Sequence, residues 1–256
     1  MRASVIRRTA VVASVGSLAL LLAACGGEGK GADKGADTPK ESAPAASAAP
    51  AAKALSAAEL EKLLVTQAEL PGHLLKKATP AENLPPEAVT TDKAECKPIV
   101  DAITFLAPGK PGATAKVKVV AIPQKDPNAS PAENAMKALS QPVTAITLGS
   151  YDGKGAEEAF ASLRTAGEKC AGGFAMAQGG QKGKIKSVAL GTADASGGDE
   201  ALTLKVTTEV DGDQAVYGVV AVRKANALAS FSTLNLSGAL PETPKNVVDA
   251  QVGKLG

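Results

Sequence analysis

The sequence predicts an α+β fold, a central antiparallel sheet with helices packed mainly on one of its faces. Two observations predict this class. Residues 201–210 and 214–223 alternate apolar and polar side chains on either side of Asp211-Gly212-Asp213, which is typical of a β-hairpin. Helical patterns stand near both ends of the same region, at residues 56–65 and after Pro244. Strands joined by hairpins and flanked by helices favour α+β over other classes.

The first 24 residues have the pattern of an export signal. Arg2, Arg7 and Arg8 form a positive segment, and the apolar run over residues 11–24 is shorter than the roughly 20 residues that span a bilayer. The run ends in "LAAC" at residues 22–25, which resembles the lipobox of bacterial lipoproteins. That resemblance implies that residues 1–24 are removed and that Cys25 carries the lipid. The alternatives are an uncleaved membrane anchor and an ordinary secretory signal with an incidental cysteine.

Residues 25–54 are predicted to be the lipidated cysteine followed by a disordered tether. Residues 26–54 contain no Leu, Val, Ile or aromatic side chain, so they cannot bury a core, and their acidic and basic residues balance. A flexible chain of this length reaches about 30 Å. We therefore expect the protein to be lipid-anchored at the extracellular face of the cell membrane, with its folded part held a short distance from the bilayer.

Residues 55–256 have the length of one extracytoplasmic domain. The whole chain carries a formal charge of +2, and loss of the three signal arginines without any acid lowers this to −1. The chain has no Trp and only 2% aromatic residues. A near-neutral domain without aromatic stacking surfaces does not suit nucleic-acid binding.

Two cysteines remain once Cys25 is assigned to lipid. Cys96 and Cys170 form an even pair in an exported, oxidising setting, and we expect a disulfide between them; two separate buried thiols are the alternative. A metal site is less favoured, because zinc prefers four ligands at motif spacing and the single histidine, His73, lies in a Pro-Gly segment. The sequence predicts no metal and no cofactor.

The remaining elements follow from periodicity. Ser56-Ala-Ala-Glu59 is a capping box that opens the first helix, and Cys170 falls in the last turn of a helix predicted over residues 155–172. The other predicted elements are a helix over 92–105, strands over 113–122, 143–151, 182–190 and 227–236, and a closing helix after Pro244.

Three segments in this order carry a family resemblance: "LLVTQAELPG" (63–72), "AECKPIVDAI" (94–103) and "LGSYDGKGAEEAFASLRTAGEKCAGG" (148–173). Together with the hairpin and the closing helix, they resemble the extracellular sensor-type domains of actinobacteria, which occur in receptor kinases and in stand-alone lipoproteins. The resemblance covers most of residues 60–255. It implies a compact α+β fold with disulfide support and a cleft for an unidentified extracellular ligand.

No pattern of catalytic residues is found in the sequence. The stretch Gly149–Gly153 surrounds Ser150 with glycines but lacks G-x-S-x-G spacing, and His73 precedes it. No phosphate-binding loop motif is present. Asp194, Asp199 and Glu200 cluster in a Gly-Ser loop without the spacing of a calcium loop, so a solvated turn is favoured there. We predict that the protein is not an enzyme.

One set of side chains suggests binding. Lys182, Lys184 and Lys186 alternate along a strand, as do Lys116 and Lys118 on another, so neighbouring strands would form a basic strip for an anionic ligand. The alternative is that these lysines protect an exposed sheet edge from pairing with another strand.

These observations favour a membrane-anchored, non-enzymatic ligand-binding or sensor-like lipoprotein. The expected partners are the membrane, through the N-terminal lipid, and a small-molecule, lipid or cell-wall ligand. The alternative function is a structural or adaptor protein that binds cell-wall polymer or a protein partner. A binding module should have a concave cleft, whereas an adaptor would need only a filled core and a flat surface.

Overall fold

A computed structural model describes residues 52–193, 197–234 and 241–256. The predicted signal peptide, Cys25, most of the predicted tether and Asp194 lie outside the described residues. Residues 52–54 contact the domain, since the carbonyl of Ala52 accepts a hydrogen bond from Gly153 (2.7 Å) and the N–H of Ala54 donates to Asp152 (2.9 Å). No helix within the described ranges is long and apolar enough to cross a membrane.

The described chain contains helices and strands in the order that the sequence predicts, with additional short elements. The helices are α1 (Ala57–Leu63), α2 (Lys97–Ile103), α3 (Pro131–Leu139), α4 (Gly155–Lys169) and α5 (Lys245–Gly253). The strands are β1 (His73–Lys76), β2 (Val89–Thr91), β3 (Ala113–Ala121), β4 (Val143–Ser150), β5 (Phe174–Gln178), β6 (Gln181–Thr192), β7 (Glu200–Val210), β8 (Asp213–Lys224) and β9 (Ala227–Leu234). Short 3-10 turns occupy Pro80–Glu82, Pro86–Ala88 and Ala94–Cys96.

All strands form one antiparallel sheet in the order β1-β3-β4-β9-β8-β7-β6-β5-β2. The predicted hairpin is β7 and β8, with Leu204 opposite Val219. Asp211 and Gly212 have φ values of 52° and 90°, the positive values that a tight hairpin turn requires. The predicted α+β class and antiparallel sheet are confirmed.

The helices cover both faces of the sheet, not mainly one as the sequence predicted. On one face, α2 and α4 pack against inward side chains of β6, β7 and β8, among them Leu204 and Val219. On the other, α1 and α5 pack against β3, β4, β8 and β9, among them Ile146 and Phe231. Strand β8 is apolar along most of its length, as expected of a strand that helices cover on both faces. Alternation of apolar and polar side chains is typical only of a strand with one face in solvent.

The disulfide between Cys96 and Cys170 is confirmed, with Cα atoms 5.9 Å apart. Cys96 immediately precedes α2, and Cys170 immediately follows α4 as its C-terminal cap. The bond therefore joins the two helices that cover the same face, within a core that includes both cysteines.

Candidate ligand-binding groove

The β5–β6 hairpin carries the lysines that the sequence singled out. Gly179 and Gly180 form its turn with φ values of 57° and 87°, a backbone conformation that glycine adopts without strain. Ile185 is buried in the core under α4. Because side chains alternate along a strand, Lys182 and Lys184 project from the opposite, solvent-facing side of the sheet.

Lys182 and Lys184 line a concave surface that we call the lysine groove. Its cavity volume is about 550 Å³, within the range of about 300–1,000 Å³ that is typical of ligand sites. The remaining lining residues come from the β2–β5 edge of the sheet and from the β7–β8 turn. They are Thr90, Thr91, Asp92, Ala175, Met176, Ala177, Gly183, Glu209 and Asp211.

The three carboxylates of the lysine groove already have partners. Asp92 accepts a hydrogen bond from the N–H of Ala175 at 2.9 Å. Glu209 pairs with Lys186 at 3.1 Å, and Asp211 accepts from the Gln181 amide at 3.2 Å.

The two lysines of the groove differ from these acids, because neither Lys182 nor Lys184 forms an ion pair with a residue that the structure describes. Both are exposed. The lysine groove therefore presents two ammonium groups without an ion-pair partner among the described residues. They lie beside the carboxylates of Asp92 and Asp211, whose hydrogen bonds come from uncharged donors and leave their negative charge in place.

Lys186 differs from the other two lysines. A β-bulge between Ile185 and Ser187 interrupts the pairing of β6 with β7, so the simple alternation that the sequence suggested ends there. Lys186 does not line the groove, and its ammonium group contacts Glu209. Its effect on an anion in the groove would act through Glu209, whose negative charge it offsets.

Edge protection does not account for Lys184. This residue lies opposite Ala175 of β5 on one side and Glu209 of β7 on the other, so its backbone is inside the sheet. The strands at the two edges of the described sheet are β1 and β2.

The prediction that Lys116 and Lys118 extend the same basic strip is wrong. Both lie on β3, which four strands separate from β6. Lys118 pairs with Glu82 at 2.7 Å, and the ammonium group of Lys116 lies 5.6 Å from the centroid of the Phe105 ring.

Other polar residues that the sequence singled out have structural partners. Ser150 is buried and accepts a hydrogen bond from the N–H of Leu55 at 2.9 Å. Asp199 and Glu200 both bind Arg223, at 2.9 and 2.7 Å. Within the described parts of the chain, no group of three or more His, Cys, Asp or Glu side chains could hold a metal ion.

Sequence reasoning missed β2 and β5, which build one wall of the lysine groove. One signal for β5 was present in the sequence: Gly179-Gly180 separates "FAMAQ" from "QKGKI", which is a hairpin pattern. The three-residue strand β2 is too short to show a period, and it forms by pairing with β5.

The solved structures that match this chain include two mycobacterial proteins. The extracellular domain of PknH from Mycobacterium tuberculosis matches with a TM-score of 0.40 and 13% identity, over 79% of this chain and 97% of that chain. An uncharacterised protein from Mycobacterium smegmatis, the Rv0999 ortholog, matches with a TM-score of 0.34 and 11% identity, over 77% of this chain and 94% of that one. No protein-family model matches the sequence, and no curated protein matches it. The resemblance predicted from the motifs is to extracellular domains of actinobacteria, and the first of these two structures is an extracellular domain from a mycobacterium.

Proposed function

We propose that this chain is an extracytoplasmic, lipid-anchored binding module, and that the lysine groove receives anionic groups of a cell-wall polymer. The observation that carries the proposal is that Lys182 and Lys184 line a concave surface without an acidic partner among the described residues. Two cations on adjacent positions of one strand face are spaced to contact successive charges of a polyanion.

An extracytoplasmic location is supported by the disulfide. A bond between two fully buried cysteines persists in oxidising compartments and is rare in the cytosol. The lipobox-like "LAAC" ending at Cys25 supports the anchor. Replacement of Cys25 by alanine should leave the chain at its precursor mass and without acyl groups, which mass spectrometry of the membrane fraction would measure.

A non-enzymatic role is consistent with the partners of the candidate polar residues. Ser150 and the acids near residue 200 are engaged in structural hydrogen bonds and ion pairs. His73 is buried on β1, the opposite edge strand from β2, which helps to line the lysine groove.

The test uses residues 26–256 without lipid and two anionic polymers, polyphosphate and polyglutamate, with neutral dextran as the uncharged polymer. The variant Lys182→Gln/Lys184→Gln/Lys186→Gln removes the charges of the hairpin. Exposed ion pairs contribute about 0.2–1 kcal/mol each, so the affinity should fall roughly tenfold. Added salt should also weaken polymer binding by the wild-type protein, because the lysine charges are exposed to solvent and salt screens them.

A matched control removes three exposed lysines in other parts of the chain: Lys62→Gln/Lys76→Gln/Lys125→Gln. This variant has the same net charge as the test variant. Under the proposal it keeps the wild-type affinity within about twofold. Equal losses in both variants would mean that net charge, and not the groove, governs binding, and unchanged binding in the test variant would overturn the proposal.

An adaptor function is the second candidate, because α3 has no buried residue and exposes large apolar side chains. Met136 is 66% and Leu139 73% exposed. Under the binding-module proposal, Met136→Ser/Leu139→Ser leaves polymer binding unchanged. The adaptor function is tested by chemical cross-linking at the cell surface. If the protein docks through α3, Met136→Ser/Leu139→Ser should no longer be cross-linked to a protein partner, whereas Lys182→Gln/Lys184→Gln/Lys186→Gln should still be.

A further inference from the structure

A second concave site lies where α2 ends and β3 begins, and we call it the Lys116 pocket. Its cavity volume is about 460 Å³, which is in the range of small-molecule sites. The wall is largely apolar and proline-rich, with Leu84, Pro86, Pro98, Leu106 and Pro111. The pocket shares no lining residue with the lysine groove.

The charged residues of the Lys116 pocket do not balance. Asp101 is buried and pairs with Lys97, one turn earlier on α2, so these two charges offset each other. Lys110 and Lys116 also line the pocket, and neither forms an ion pair with a described residue. The pocket therefore carries a net positive charge from Lys110 and Lys116.

Lys116 is the more informative of the two cations because it is half-buried. Burial lowers the pKa of its ammonium group. The contact of this group is the face of the Phe105 ring, with 5.6 Å between Nζ and the ring centroid. A desolvated cation without a carboxylate favours a bound anion more than an exposed lysine does.

The backbone conformation of Phe105 positions this ring. Phe105 has a φ of 66°, and the N–H of Leu106 donates to the carbonyl of Asp101 at 2.9 Å, which closes the end of α2. Glycine is the usual residue at such a helix end, and a bulky side chain there is strained. Here the strained position puts an aromatic ring against the ammonium group of Lys116.

We propose that the Lys116 pocket binds a small amphipathic anion, with a carboxylate or phosphate head at Lys116 and Lys110 and an apolar body against Leu106 and the prolines. The apolar wall excludes a fully polar anion as the best ligand, and the unbalanced cations exclude a neutral apolar one. The Lys116 pocket shares no lining residue with the lysine groove, so its test is independent of the test of polymer binding.

The first experiment measures binding to residues 26–256 by calorimetry with defined probes. Decanoate and decyl phosphate carry both a head and a tail, 1-decanol lacks the charge, and acetate and inorganic phosphate lack the tail. We expect decanoate or decyl phosphate to bind at least tenfold more tightly than 1-decanol and the tailless anions. The stronger of the two identifies whether the head is a carboxylate or a phosphate. Equal binding of decanol and both amphipathic anions would overturn the proposal.

Variants locate the site. Lys116→Gln should weaken binding of the preferred amphipathic anion at least tenfold, whereas Lys116→Arg should retain most of it. Lys110 is exposed, so Lys110→Gln should fold normally, and it should weaken binding by a smaller factor. Lys182→Gln/Lys184→Gln should bind the amphipathic anion as the wild type does. Binding that survives in both Lys116→Gln and Lys110→Gln would place the anion elsewhere and refute the proposal.

Discussion

The side-chain amide of Gln251 in α5 accepts a hydrogen bond from the backbone N–H of Val65 at 3.0 Å. The same amide donates to the carbonyl of Leu63, where α1 ends, at 2.7 Å. Gln251 is fully buried; its bond with Val65 is buried and its bond with Leu63 is partly buried. Because α1 has only seven residues, it depends on tertiary contacts of this kind.

Replacement of Gln251 by leucine should therefore destabilise the domain. The change leaves one backbone donor and one acceptor without a partner, and each costs about 1–3 kcal/mol when buried. For a domain of this size, each kcal/mol lowers Tm by about 2–4 °C, so the expected decrease is about 4–24 °C. Thermal unfolding followed by circular dichroism measures it.

Gln214→Leu is the matched control, because Gln214 is an exposed residue of β8. Its Tm should stay within about 2 °C of the wild type. If Gln251→Leu melts at the wild-type temperature, the bridge between α5 and α1 contributes no net stability.

Glu82 should make stability depend on acid pH. Partial burial alone would raise the pKa of this carboxyl, but hydrogen bonds from Lys118 Nζ and from the N–H and hydroxyl of Thr79 lower it to about 2. The unfolded carboxyl titrates near 4.5. The stabilisation is therefore fully present above about pH 4.5 and is lost as the pH falls towards about 2.

Urea unfolding of Glu82→Gln tests this pH dependence. The variant should be less stable than the wild type at neutral pH by at most about 1 kcal/mol, because the Glu82 side chain is 38% exposed and solvent screens the pair. The difference should shrink to nothing near pH 2. Glu87→Gln changes an exposed position, and its difference from the wild type in free energy of unfolding should not change between neutral pH and pH 2. A difference that persists or widens in acid would contradict the assignment.

Long periodic segments with clear turn residues could be predicted from the sequence. The β7–β8 hairpin follows its prediction to within one residue at each end, because apolar alternation and the Asp211-Gly212 turn indicate the same structure. Helix α4 was expected over residues 155–172 and ends at Lys169, with Cys170 at its C-terminal cap.

The elements that were missed are short or isolated. Strands β1 and β2 have four and three residues, too few to show a period. Helix α3 had a readable signal, because Ser130 and Glu133 form a capping box with Pro131 in the first turn. Because α3 buries no residue, it does not need the apolar stripe by which a helix is usually recognised in a sequence.

The candidate site was predictable only in part. Alternation placed Lys182 and Lys184 together on one side of a strand, and both line the lysine groove. The separation of Lys116 from them depends on strand order, which pairing between distant segments determines. The bulge beside Lys186 is likewise a property of the β6–β7 pair and has no signature within β6 alone.

The disulfide should supply a substantial part of the stability of the domain. Cys96 and Cys170 are 74 residues apart, and in the chain-entropy model a closed loop of this length removes up to about 4.5 kcal/mol of unfolded-state entropy. Measured contributions are more often about 2–4 kcal/mol. We expect Cys96→Ala/Cys170→Ala to lose about that much free energy of unfolding in urea.

The slope of the urea transition distinguishes the mechanism. Without the bond the unfolded chain is more expanded and exposes more surface, so the m-value of the double variant should exceed that of the oxidised wild type. Wild-type protein that is reduced while unfolded should then match the double variant, and the double variant should not respond to reductant. Equal midpoints and m-values for the oxidised wild type and the double variant would mean that the packing of α2 and α4, and not the covalent bond between them, holds this face of the sheet.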